Sequence, residues 1–245
     1  MGKIIVIGIG PGSLEDMTPR ALKAIQTAEV VVGYTTYIKL ITALIKDKEV
    51  VGTAMMQEID RCTIAVESAA KGKNTVVVSS GDAGVYGMAG LILELLMKYE
   101  KTSRPEVEII AGISAVNAAA AILGAPLMHD FAVISLSDLL TPWELIKKRA
   151  EHAAQGDFVI ALYNPKSKKR VKNIEEIRRI MLKYKSPQTP VGIVSNASRE
   201  GQHAIISTLE NFINEEINMF SLVIIGNSKT YEKDGFMITP RGYIV

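Results

Sequence analysis

The strongest constraint in this sequence is a rhythm. Short β-branched apolar runs alternate with longer stretches of helical pattern. Lys3–Gly8 is apolar, β-branched and ends in glycine, as a strand does. Thr18-Pro19-Arg20 sets a capping threonine before a proline at the first helical position, so a helix begins there. Glu29–Gly33 reads as a second strand and Gln57–Ala70 as a helix stopped by Gly72. Asn74–Ser80 reads as a buried strand, Gly87–Tyr99 as a helix and Glu106–Ala111 as another strand. This alternation predicts an α/β fold with a mostly parallel central sheet.

The texture changes in the second half. Phe131–Leu136, Phe158–Tyr163, Val191–Ser195, Ala204–Ser207 and Leu222–Gly226 are strand-like, and the later ones lie close together in sequence. That spacing predicts a mixed sheet with some antiparallel pairing. Two helix starts are expected from capping boxes, Thr141-Pro142-Trp143-Glu144 and Ser207-Thr208-Leu209-Glu210. Asn173–Tyr184 is a charged amphipathic helix. The expected division is an N-terminal α/β domain, residues 1–112, and a C-terminal α/β domain, residues 113–245.

Composition removes several function classes. No apolar run approaches the ~20 residues that span a bilayer, so no membrane partner is expected. The opening Met1-Gly2-Lys3-Ile4-Ile5-Val6 leads straight into a strand and lacks a signal-peptide cleavage pattern, so a cytoplasmic location is expected. The single cysteine, Cys62, forbids an internal disulfide and reads as an incidental thiol. A net charge of +2 gives no general nucleic-acid surface.

The candidate chemistry lies where strands end. Gly8-Ile9-Gly10-Pro11-Gly12 follows the first strand; Ser13 breaks the dinucleotide fingerprint and Pro11 stiffens the loop. A structural tight turn and a ligand loop both satisfy this pattern. Gly81-Asp82-Ala83-Gly84-Val85-Tyr86-Gly87 follows a strand at the edge where open α/β sheets bind ligands. Asp82 either accepts from a ribose or cationic ligand, or caps the helix that follows. Gly112-Ile113-Ser114-Ala115 opens a helix of small residues, suited to close approach of a flat ligand or of another helix. Leu162-Tyr163-Asn164-Pro165 leads into Lys166, Lys168, Lys169 and Arg170, either a carboxylate or phosphate grip or a solvated face. Ser195–Gly201 is a further polar loop.

Other chemistries fail by absence. The sequence has no phosphate-loop signature, no HExxH and no GxSxG elbow. His129, His152 and His203 are scattered without metal-ligand spacing, so no resident metal is expected.

Taken in order, these segments resemble the tetrapyrrole methylase family along essentially the whole chain. GIGPG at 8–12, GDAGVYG at 81–87 and GISAVNAAAAILGAPL at 112–127 carry the superfamily resemblance. VVGYTTY at 31–37, ISLSDLLTPWE at 134–144, LYNPKSKKR at 162–170, SNASREGQ at 195–202, VIIGNSKTY at 223–231 and TPRGY at 239–243 resemble its corrin-directed C17 branch.

The resemblance implies two α/β domains with a ligand cleft between them, and a homodimer. It implies S-adenosylmethionine as methyl donor, S-adenosylhomocysteine as product, and precorrin-3B or cobalt-precorrin-3 methylated at C17 with ring contraction, in cobalamin biosynthesis. Carried over by motif, Pro11, Ser80, Gly81, Asp82, Val85, Ser114 and Ala115 hold the cofactor, with Asn164 and Ala197 around its adenine. Relatives often have Met at the Asn164 position and Gly at the Ala197 position. Gly10, Lys166, Lys168, Lys169, Arg170, Arg199 and Arg241 are the expected substrate contacts, the cations meeting the macrocycle's carboxylates. Tyr34, Tyr37, His129 and Asp130 are the acid–base candidates for ring contraction. Three competing readings are another methyltransferase of the superfamily, a nicotinamide-dependent oxidoreductase, and a non-catalytic adenosylmethionine-binding regulator.

Overall fold

A computed structural model describes residues 2–167 and 170–244 of the 245-residue chain. The chain divides after Ala115 into two compact units.

In the first unit the order is β1 (Lys3–Gly8), α1 (Pro19–Thr27), β2 (Val30–Tyr34), α2 (Thr35–Leu40), β3 (Glu49–Thr53), α3 (Glu58–Ala70), β4 (Thr75–Ser79), α4 (Ala89–Leu96) and β5 (Glu106–Ile110). The five strands form one sheet in the order β3-β2-β4-β1-β5, and every pairing in it is parallel. Alternation sorts the valines and isoleucines between two cores. Ile4, Val6, Val30, Val32 and Val77 pack with Cys62, Val66, Ile92 and Leu96 of α3 and α4. Ile7, Val31, Val76 and Val78 pack on the opposite face with Ala21, Ala24 and Ile25 of α1. Each such side chain taken fully out of water stabilises by roughly 1.5–3 kcal/mol.

The start of α1 follows the sequence reading. Thr18 Oγ1 accepts from the Ala21 amide at 3.2 Å, and Pro19 is the first helical residue. The expected helix Gly87–Tyr99 is shorter in the structure, Ala89–Leu96. Residues before it are held in a turn, with Tyr86 at a φ of 53° and the Met88 amide donating to Ser79 Oγ at 3.1 Å.

In the second unit the order is α5 (Ala115–Leu123), β6 (Gly124–Ala125), β7 (Phe131–Ser135), α6 (Trp143–Gln155), β8 (Val159–Tyr163), α7 (Asn173–Met181), β9 (Pro190–Ser195), β10 (His203–Thr208), β11 (Ser221–Ile225), β12 (Tyr231–Lys233) and β13 (Phe236–Ile238). A five-stranded sheet runs β10-β9-β11-β8-β7. Only β7 and β8 pair in parallel; β8–β11, β9–β11 and β9–β10 are antiparallel. A smaller sheet joins β6, β13 and β12. Its hairpin turns on Asp234 and Gly235, both at positive φ, the Asp-Gly pair that a two-residue loop demands.

Both expected capping boxes are corrected. At the first, α6 starts at Trp143, its N-cap is Pro142, and no side chain caps it. Glu144 turns instead to Lys147 Nζ at 2.8 Å. At the second, Ser207 and Thr208 are consumed by pairing with Val191 and Pro190. The chain then makes a turn and a 3₁₀ turn at Phe212–Asn214 rather than an α-helix. Strand pairing satisfied the backbone that a cap would have served. Among the described residues no helix is long and apolar enough to cross a membrane.

Candidate functional site

In the first unit, β1 lies between β4 and β5, so the three glycine loops leave neighbouring strands at one edge. Gly10 and Gly81 form an antiparallel bridge. The Gly10 amide donates to the Gly81 carbonyl at 3.1 Å, and the Gly81 amide to the Gly10 carbonyl at 2.7 Å. The loops touch backbone to backbone. A Cβ on Gly8 would lie 2.4 Å from the Gly81 oxygen, and one on Gly112 would lie 2.3 Å from that oxygen. Glycine is therefore required at both positions by space.

Asp82 ties this arrangement together. Its Oδ1 accepts from the Gly84 amide at 2.8 Å and the Val85 amide at 3.1 Å. Its Oδ2 accepts from the Gly112 amide at 3.0 Å. The carboxylate both closes its own turn and fastens the second loop to the third. It does not cap α4, whose N-cap is Met88. Val85 and Tyr86 are exposed on the outer side of the turn. Pro11 is buried, while Ser80, Ser114 and Ala115 are half-buried. Tyr34 and Tyr37 sit at the same carboxyl edge, after β2, with rings edge to face at 5.1 Å.

In the second unit, β7, β8 and β9 run in one direction, with β11 antiparallel between β8 and β9. Their carboxyl ends bring the loops of Asn164 and Ala197 to one edge. Asn164 adopts a φ of 50°, and its Nδ2 donates to Ser135 Oγ at 3.0 Å. Tyr163 Oη accepts from the Val116 amide at 3.0 Å, fixing the start of α5. Asn196 and Ser198, on either side of Ala197, are also left-handed, with φ of 52° and 56°. Left-handed asparagines at strand ends are a sequence-readable sign of a shaped loop.

The basic residues divide. Lys166 and Arg170 follow β8, and Arg199 follows β9, at that same edge. Arg170 Nη1 approaches Asp138 Oδ1 at 3.7 Å, while its Nε and Nη1 lack hydrogen-bond partners. Lys168 and Lys169 lie outside the described residues. Arg241 is elsewhere: its Nη1 donates to the Met128 carbonyl at 3.5 Å, beside His129 and Asp130. Those two immediately precede β7, so they lie at the amino edge of the sheet. At ~3.3 Å per residue, β7 separates Asp130 from Ser135 by roughly 16 Å. His129 and Asp130 are exposed and pair with each other at 3.6 Å. The structure does not bring them, or Arg241, to the edge of Asn164. Among the described residues no cluster of His, Cys, Asp or Glu could hold a metal ion.

Sequence reasoning missed Ser135, which holds Asn164, and the long-range bond from Gly112 to Asp82. It also passed over Arg61, beneath the Tyr34 ring. In the first unit, backbone-rich loops free of bulk crowd one edge of the sheet and fit an adenosyl ligand. In the second unit, an anchored side-chain amide stands at an edge of its own sheet.

The chain matches the model of the Tetrapyrrole (Corrin/Porphyrin) Methylases over residues 3–213, and it belongs to that family. It is 52% identical over 244 residues to a cobalt-factor III methyltransferase of Priestia megaterium, covering 99% of this chain and 45% of that protein. The chain thus spans less than half of that relative. It is also 52% identical to a probable cobalt-factor III C(17)-methyltransferase of Salmonella typhimurium, covering 97% of this chain and 98% of that one. Among solved structures, the methyltransferase CobJ superposes with a TM-score of 0.93 at 37% identity, covering 98% of this chain and 100% of that chain.

Proposed function

We propose that this chain transfers a methyl group from S-adenosylmethionine to C17 of cobalt-factor III, with the associated ring contraction, in cobalamin biosynthesis. The observation that carries the reading is identity of 52% across nearly the whole chain to two relatives named for that substrate. A homodimer is the proposed assembly. Precorrin-3B, for which a 37% identical relative is named, is the alternative substrate.

When bound, the cofactor supplies an electrophilic methyl group on a sulfonium. The chain's own task is placement. The loops at Gly10, Gly81 and Gly112 present backbone to the methionine and ribose portions, and Asp82 acts chiefly by holding those loops in register. Asn164, fixed by Ser135, and Ala197 flank the adenine. Lys166, Lys168, Lys169, Arg170 and Arg199 meet peripheral carboxylates of the macrocycle. The macrocycle's own carbon is the nucleophile, so the protein needs none. Holding reactants in near-attack geometry lowers a barrier by roughly 7–11 kcal/mol. Tyr34 and Tyr37 are the side chains assigned to proton transfer, in preference to His129 and Asp130.

The experiment is transfer of labelled methyl from S-adenosylmethionine to cobalt-factor III, with the labelled carbon located by NMR. Label at C17 supports the reading. Label at another position, or transfer only to precorrin-3B, replaces it.

A further inference from the structure

The carboxyl ends of β2 and β3 carry a polar cluster apart from the glycine loops. Tyr34 and Thr53 are register partners in adjacent parallel strands, so their side chains leave the sheet on the same face. Val30 and Val32, in phase with Tyr34, pack with Cys62 and Val66 of α3, so that face is the one α3 covers. Arg61, in the first turn of α3, places its guanidinium carbon 5.9 Å from the centre of the Tyr34 ring.

Arg61 is 2% exposed, yet its Nε and Nη1 have no hydrogen-bond partner, and neither has the buried Thr53 Oγ1. Nη2 pairs with Glu58 Oε1 at 3.4 Å. A guanidinium stays charged in any protein setting. A buried charge with open donors is costly until an anion completes it, and contact with an aromatic face offsets only part of that cost. Open guanidinium donors against an aromatic ring, with an open hydroxyl at the strand position paired with that tyrosine, match the planar, acceptor-only chemistry of a carboxylate.

We propose that Arg61, against the Tyr34 ring and with Thr53 on the adjacent strand, is a binding subsite for a peripheral carboxylate of the tetrapyrrole substrate. This rests on the function proposed above. The strand order assigns the subsite to the macrocycle rather than the cofactor, because β2 and β3 occupy one flank of the sheet while the glycine loops leave β1, β4 and β5. Entry passes the exposed segment 54–57. Two side chains tie that segment: Gln57 Oε1 accepts from the Ala54 amide at 2.9 Å, and Glu58 Oε1 from the Met56 amide at 3.2 Å.

The test uses the full chain and two probes: uroporphyrin III, a polycarboxylate tetrapyrrole followed by fluorescence quenching, and S-adenosylhomocysteine followed by calorimetry. Arg61→Met is expected to weaken the tetrapyrrole at least about tenfold, about 1.4 kcal/mol, while S-adenosylhomocysteine affinity is retained. Arg61→Lys, which keeps the charge but loses the fork, is expected to fall between. Thr53→Val is expected to show a smaller loss in the same direction, and it carries the test if Arg61→Met does not fold. Tetrapyrrole affinity equal to wild type overturns the subsite alone. So does a parallel loss of both ligands, or a loss confined to S-adenosylhomocysteine. A wild-type chain with no affinity for the tetrapyrrole overturns the proposed function and the subsite with it.

Discussion

Replacing Asp82 separates two jobs done by one carboxylate. Oδ1 serves its own turn through Gly84 and Val85, and Oδ2 reaches Gly112 thirty residues away. Asp82→Asn keeps an acceptor for the turn but sets an amide N–H against the Gly112 N–H, donor facing donor. A hydrogen bond to a charged group contributes roughly 1.5–3 kcal/mol net, so the Asn variant should lose about that much. Asp82→Ala should lose a further ~1 kcal/mol, the Gly84 and Val85 amides being exposed enough for water to replace part of the loss.

Urea unfolding measures the totals, and amide hydrogen exchange assigns them. Gly112 should exchange faster in both variants, whereas Gly84 and Val85 should lose protection only in Asp82→Ala. S-adenosylhomocysteine affinity should follow the same order, wild type above Asn above Ala. An Asn variant as stable as wild type, with Gly112 still protected, would refute the tether. Cofactor affinity lost in the Asn variant without any change in stability would mean the carboxylate touches the ligand directly.

Other outcomes follow from packing and charge. A methyl added by Gly192→Ala would lie 2.3 Å from Leu123 Cδ1, within a core where Leu123 is 2% exposed. A loss of about 1–3 kcal/mol is expected, partly recovered when Leu123→Ala is added; no recovery in denaturation midpoints would sink the steric account. Burial pushes the Asp157 carboxyl up, but the hydroxyl and amide of Ser228 and the charge of Lys185 outweigh it, leaving its pKa below the ordinary 3.8. A depressed carboxylate pKa means stability fully present above about pH 4 and lost as pH falls through the lowered value. The melting-temperature gap between wild type and Asp157→Asn should therefore shrink below that pH; a gap constant down to strongly acid conditions would contradict this.

Much of the fold was legible because burial is written in local pattern. β1, β4 and β8 are unbroken apolar runs, and the α1 cap needs only its own neighbours. β3 was not legible: Glu49–Thr53 is a mostly exposed edge strand with no clear alternation. One capping box misled because its residues had non-local strand partners, Val191 and Pro190; in the other, Glu144 turned to Lys147 one turn along its own helix. The glycine loops announced themselves by ending strands. Their adjacency did not, since it depends on β1 lying between β4 and β5. The same holds for His129 and Asp130, which the sequence offered with Tyr34 and Tyr37 as acid–base candidates: nothing local says at which edge of a sheet a loop will emerge.

The backbone contact among Gly8, Gly81 and Gly112 also governs how a mutational survey of this chain should be interpreted. Gly8 and Gly112 will tolerate substitution as poorly as any group that performs chemistry, yet neither has a side chain to contribute. Activity lost at those two positions gauges the spacing between loops, and counting them as reactive centres would enlarge the apparent catalytic machinery without adding a single functional atom.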